Sequence, residues 1–136
     1  MGGSQDEEIC RRVADLTQKK PAIACGGSLT QFGALAAFCD GVVVNDGGPL
    51  HVAAASGAKT VSIFGSVDEK VYGPYPQGFH KVVTKDLACR PCYRQFRRAR
   101  CEHISCLNLI TVDEVLKEIE EILKLNRRQD KSSESG

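Results

Sequence analysis

Apolar residues along this chain recur in two alternating rhythms, one helical and one extended. Ile9, Val13 and Leu16 fall at helical intervals behind Ser4 and Glu7, which have the spacing of a capping box, and the stretch stops at Lys19-Lys20-Pro21. Ala22-Ile23-Ala24-Cys25 is a short apolar run ending at Gly26-Gly27 and predicts a strand and a tight turn. Ser28 and Gln31 then cap a helix running from Leu29 to Cys39. Gly41-Val42-Val43-Val44-Asn45 is β-branched without alternation, the pattern of a strand covered on both faces. It leads through Asp46-Gly47-Gly48 into a helix from Pro49 to about Ser56, closed by Gly57. Thr60-Val61-Ser62-Ile63-Phe64 is the next apolar run and ends at Gly65.

Strands and helices thus alternate with short connections, which predicts an α/β fold: a Rossmann-like parallel sheet with helices on both faces. Beyond Gly65 the pattern loosens into a loop with Pro74 and Pro76, a short strand from His80 to Thr84, and a loop over 86–108 rich in Cys and Arg. Thr111 and Glu114 repeat the capping-box spacing, and Val115, Leu116, Ile119, Ile122 and Leu123 draw one apolar stripe of a final helix. The expected organisation is one Rossmann-like domain over 1–126 and a disordered tail over 127–136, where nothing apolar remains to bury.

Composition narrows the function classes. A chain of 136 residues with 42% hydrophobic and 26% charged residues suits one ordinary domain. A net charge of +1 gives no overall field toward nucleic acid or membrane. No apolar run nears the roughly 18 residues of a membrane span, and the first residues lack a signal peptide's basic and apolar regions, so a cytoplasmic protein is expected. Of seven cysteines, Cys10, Cys25 and Cys39 fall where small core side chains are expected.

Ligands of parallel α/β sheets sit outside the carboxyl ends of the strands, where loops enter helices. Asn45-Asp46-Gly47-Gly48-Pro49-Leu50-His51 lies at such a place. Two glycines let backbone N–H groups approach a ligand, and a helix start favours a phosphate. Asp46 is suited to accept hydrogen bonds from sugar hydroxyls. His51, kept neutral by the helix start, is suited to donate to a phosphate or sugar oxygen. The same residues also fit a plain turn and cap with His51 inside the core.

The run Asp46 to Ala55, the strand end Ser62-Ile63-Phe64-Gly65-Ser66, Cys89-Arg90-Pro91-Cys92 and Cys106-Leu107 together resemble the C-terminal half of the ADP-heptose:lipopolysaccharide heptosyltransferases, in order from about Gly2 to Leu123. The resemblance implies part of a GT-B fold whose C-terminal domain holds an ADP-sugar, ADP-heptose by family, and whose N-terminal domain holds the anionic lipopolysaccharide core acceptor. It implies inverting transfer without a required metal. It places the donor at Asp46, Gly47, Gly48 and His51, with Ser28, Leu29 and Thr30 lining the same cleft. Where many relatives have Ser or Thr after the aspartate, this chain has Gly47. The likeness begins partway through the donor domain, so no catalytic residue is expected in this chain, the acceptor domain with its general base is expected to be missing, and the chain alone is expected to be inactive. Self-association through an open sheet edge is expected too.

Cys89, Cys92, Cys101 and Cys106, with His103 among them, offer enough ligands for a tetrahedral structural zinc, and a disulfide pair or reduced cysteines packing the loop fit as well. Arg94, Arg97 and Arg98, flanked by Arg90, Arg100, Tyr93 and Phe96, make a local positive surface. In the setting of the resemblance it meets the anionic acceptor or the inner membrane face. The competing class is a zinc-stabilised, Arg-rich module without catalysis that grips nucleic acid or another anion. The transferase reading expects no nucleic acid partner.

Overall fold

The structure, a computed structural model, describes residues 1–75, 79–94, 97–98 and 100–133, with side chains described for those through 93 and for 100–125. A 3-10 turn over Ser4–Asp6 opens α1 (Glu7–Asp15), and α2 spans Leu29–Ala37. Strand β1 (Val42–Asn45), α3 (Gly48–Ala55) and β2 (Thr60–Ile63) follow. Next come the short α4 (Glu69–Tyr72), β3 (His80–Val83), the paired dipeptides β4 (Tyr93–Arg94) and β5 (Arg97–Arg98), α5 (Ser105–Asn108) and the long α6 (Val112–Ser133). The main sheet is parallel in the order β1-β2-β3, with Val42 opposite Thr60 and Thr60 opposite His80.

Alternation along the strands assigns the two faces. Val42 and Val44 of β1 meet Phe32, Ala36, Ala53 and Ala58, so α2 and α3 cover one side. Gly33 permits that packing, because a Cβ there would stand 2.7 Å from Ser56 Oγ on α3. Val61 and Val83 turn the other way and enclose Ile122 of α6 with Ile110, Val115 and Ile119. The expected parallel α/β sheet with helices on both faces is therefore what the chain forms, and the capping boxes at Ser28–Gln31 and Thr111–Glu114 both close.

Several local expectations change. Ala22–Cys25 is not a strand; it makes a single parallel bridge from Cys25 to Gly2, with Gly2 N donating to Ala24 O and Gly26 N to Gly2 O. The first box forms one residue early, the Gly3 amide donating to the Asp6 carboxylate at 2.8 Å. The apolar stripe of α1 faces solvent, Leu16 being 88% exposed, because α1 packs chiefly on the turn before it and not on the sheet. Cys39 is exposed rather than core, its thiol donating to Leu35 O. Helix α6 is described from Val112 to Ser133. Among the described residues no helix is long and apolar enough to cross a membrane.

Candidate functional site

Strand β1 delivers Asn45 and Asp46 to the carboxyl end of the sheet, where Asp46 N donates to Ile63 O. The chain then turns through Gly47 at φ 145°, ψ −173°, a conformation that L side chains avoid, and enters α3 with Pro49 in its first turn. Among the described residues no side chain caps this helix; Pro49 has no N–H and the Leu50 amide donates to Gly47 O, so what the helix start presents is chiefly its positive end. Asp46 is exposed, yet its carboxyl is hemmed in enough for desolvation to push its pKa up, while the neighbouring charge of His51 pulls it back. His51 is itself exposed, which removes the alternative of a histidine satisfied inside the core.

Asn45, Asp46 and Pro49 border a cleft of about 560 Å³ whose opposite wall is Gly27, Ser28 and Leu29. Ser28 Oγ accepts from Gln31 N at 3.2 Å, which fixes the hydroxyl at the head of α2. Thr30 does not share this cleft; it borders a depression with Gly33, Val52 and Ser56, because one step along a helix turns a side chain about 100° away. Gly47, Gly48 and His51 belong to the turn itself rather than to the cleft wall.

The cysteines of the Cys and Arg segment are reduced, one of the alternatives its sequence leaves open. Cys89 and Cys101 are exposed, Cys92 half-buried and Cys106 buried, and all are free thiols. Among the described residues no three His, Cys, Asp or Glu side chains are grouped to hold a metal ion. His103 Nδ1 instead lies 2.9 Å from Ser105 Oγ and accepts from Ser105 N. Arg94, Arg97 and Arg98 sit on the β4–β5 pairing, and their side chains lie outside the described residues, as does Phe96.

Arg90 is not part of a positive surface. Its side chain is 8% exposed and donates to the carbonyls of Gly65, Lys85 and Val67 while pairing with Glu69 at 3.0 Å. Cys92 N and Tyr93 N both donate to Ser66 O at 3.0 Å, so the segment after Arg90 is stitched onto the carboxyl end of β2. This brings Ser66, Tyr72 and Tyr93 to the far side of Asp46. Sequence reasoning placed Asn45 in the strand-end segment but did not single out Ser66 or Tyr72 as site residues. The available signal was position, since Ser66 lies three residues past the end of β2, in the loop on the same carboxyl edge as Asp46.

Residues 1–103 match the family model described as glycosyltransferase family 9 (heptosyltransferase). The chain is 34% identical over 88 residues, 65% of its length, to lipooligosaccharide heptosyltransferase 2 of Campylobacter jejuni subsp. jejuni serotype O:2. It is likewise 34% identical over 86 residues, 63% of its length, to the protein of that name from serotype O:6. In both cases the match spans 27% of the relative. A crystal structure of a family 9 glycosyl transferase from Veillonella parvula superimposes with a TM-score of 0.73 at 28% identity, over 90% of this chain and 35% of that one.

Proposed function

Because this chain belongs to glycosyltransferase family 9, the heptosyltransferase family, we propose that it forms the donor-binding part of a heptosyltransferase and holds the diphosphate of an ADP-sugar, ADP-heptose in this reading, at the turn from Asp46 to His51. The observation that carries the proposal is the uncapped, glycine-bared start of α3 opening beside the cleft lined by Ser28, Leu29 and Asp46. The positive helix end, reached closely past the two glycines, suits a diphosphate. As the glycosidic bond breaks, negative charge grows on the leaving diphosphate, and fixed donors aimed there lower the barrier. Ser28 Oγ already accepts from Gln31 and can turn its own hydrogen to the ligand.

In the whole protein we read the reaction as inverting transfer of a heptose to an anionic lipooligosaccharide core, with no metal required. The acceptor and the general base belong, in this reading, to the larger part of the relatives that this chain does not match, so the chain alone should bind without transferring. Calorimetric titration with ADP tests the donor site. His51→Ala should weaken binding about tenfold, the worth of roughly one hydrogen bond to a charged group. Equal ADP affinity in the two chains would remove the turn from the proposal.

A further inference from the structure

Among the described residues two apolar helix faces have no cover, and they share one spacing. On α1, Ile9, Val13 and Leu16 are all exposed and follow one another at i, i+4 and i+7. On α6, Val115, Ile119 and Ile122 meet the sheet, and beside them Leu116 and Leu123 form a second row that is exposed. Helix α6 lies over β2 and β3, so the same side of β1 is bare and Val43 is exposed there. The space between α6 and β1 holds two hollows in line. One, about 330 Å³, is bordered by Cys39, Val43, Ile119 and Leu123. The other, about 430 Å³, is bordered by Asn45, Val112 and Leu116.

A groove along a helix suits a second helix whose side chains repeat at the same step. Helix α1 has that step. Laid antiparallel to α6, it sets Ile9 against Leu123, Val13 against Ile119 and Leu16 against Leu116. The charges beside the two rows agree with this register. Exposed Arg12 comes to Glu120, and Lys19-Lys20 come to Asp113, both acids lying on the open flank of α6. On the opposite flank Glu114 and Glu118 are already held by Lys85 and Lys81. Antiparallel helices also set their dipoles favourably. We propose that this face takes a second copy of the chain, each copy laying its α1 into the groove beside the other's α6. Two short helix contacts make a small interface and a weak dimer, distinct from a pairing of open strand edges and independent of the donor reading.

Sedimentation equilibrium of the full chain should show monomer passing to dimer with a dissociation constant on the order of 10 μM. Leu16→Glu and Leu116→Lys, both at exposed positions, should each weaken association about a hundredfold, because the symmetric pair sets a charge against apolar side chains twice. An equimolar mixture of the two variants should return to within about tenfold of the parent, since one contact then brings the two opposite charges together and the other is unchanged. Cys39 borders the groove, so its alkylation by N-ethylmaleimide, read by mass spectrometry, should slow as the chain is concentrated, while the exposed Cys89 and Cys101 keep their rates. A monomer at every concentration, or a mass that keeps growing past two, overturns the proposal. So does association that survives both variants, as edge pairing would, or a mixture no better than either variant alone. If a variant does not fold, the protection of Cys39 decides, and an unchanged Cys39 rate in concentrated parent chain overturns the exchange.

Discussion

Replacing Arg90 by Met keeps most of the side-chain volume and removes every side-chain polar contact that Arg90 makes, leaving the two amide bonds from Cys92 and Tyr93 to Ser66 O to hold the segment. Three backbone carbonyls, those of Gly65, Lys85 and Val67, lose a charged donor, and Glu69 loses its partner. Deleting one member of a buried ion pair costs about 3–5 kcal/mol. Glu69 is 30% exposed and can take up water once released, which points to the lower end of that range. Even about 3 kcal/mol is a large share of the roughly 5–15 kcal/mol that holds such a domain together, and it corresponds to a melting point about 10 °C lower. Urea titration and thermal melting give the size of the loss. Hydrogen exchange gives its place, because the amides of Cys92 and Tyr93, bonded to Ser66 O, should lose protection first. Arg90→Lys should recover only part, since an ammonium cannot span the spread of acceptors that the guanidinium fork reaches. The exposed Arg100 serves as control, its Met variant lying within about 0.5 kcal/mol of the parent. A loss below about 1 kcal/mol for Arg90→Met, with Cys92 and Tyr93 still protected, would refute the clamp.

Gly47 sits at φ 145°, so Gly47→Ala should cost about 1–3 kcal/mol. Gly48→Ala, whose added carbon meets nothing within 4 Å, should change stability by less than about 1 kcal/mol; equal urea midpoints for the two would contradict the strained turn. The carboxyl of Glu114 is held down to about 2 by Lys85 and by the Thr111 amide and hydroxyl. A depressed folded-state pKa stabilises above the ordinary value of 4.5, and that contribution drains away as pH falls from there through about 2. Urea midpoints between pH 6 and pH 2 should therefore fall less steeply for Glu114→Gln than for the parent, and identical slopes would exclude the linkage.

The fold was legible where local chemistry decides it. Glycine and proline punctuate β1, α3 and β2, and the caps at Ser28 and Thr111 are side-chain bonds within four residues of sequence. The strand expected over Ala22–Cys25 was not, because a strand needs a neighbour, and among the described residues it has a single bridge, to Gly2. Amphipathic spacing in α1 showed a helix correctly but could not show whether anything covers its stripe. Of the site, Asp46 follows from the rule that ligands gather at strand ends and Ser28 and Leu29 only from the family resemblance, and the three do share one cleft. Arg90 read as one more surface charge because its acceptors lie 5 to 25 residues away and none is marked in the sequence. Tyr72 was hidden in the loop after Gly65, although Asp68, whose carboxylate accepts from Lys70 N, is a helix start in plain view.

The backbone at Gly47 has a consequence on the timescale of descent. The resemblance places a Ser or Thr after the aspartate in many relatives, and one codon change from glycine restores a serine. Here that serine would inherit a main-chain path that only glycine follows without strain, and its hydroxyl would not point where an unstrained turn aims it. The hydroxyl returns usefully only if a second change swings the peptide back at the same time. Such coupled steps are not additive, so a serine at position 47 costs stability here unless a second change relaxes the turn with it, and the backbone at Gly47 narrows what can follow Asp46.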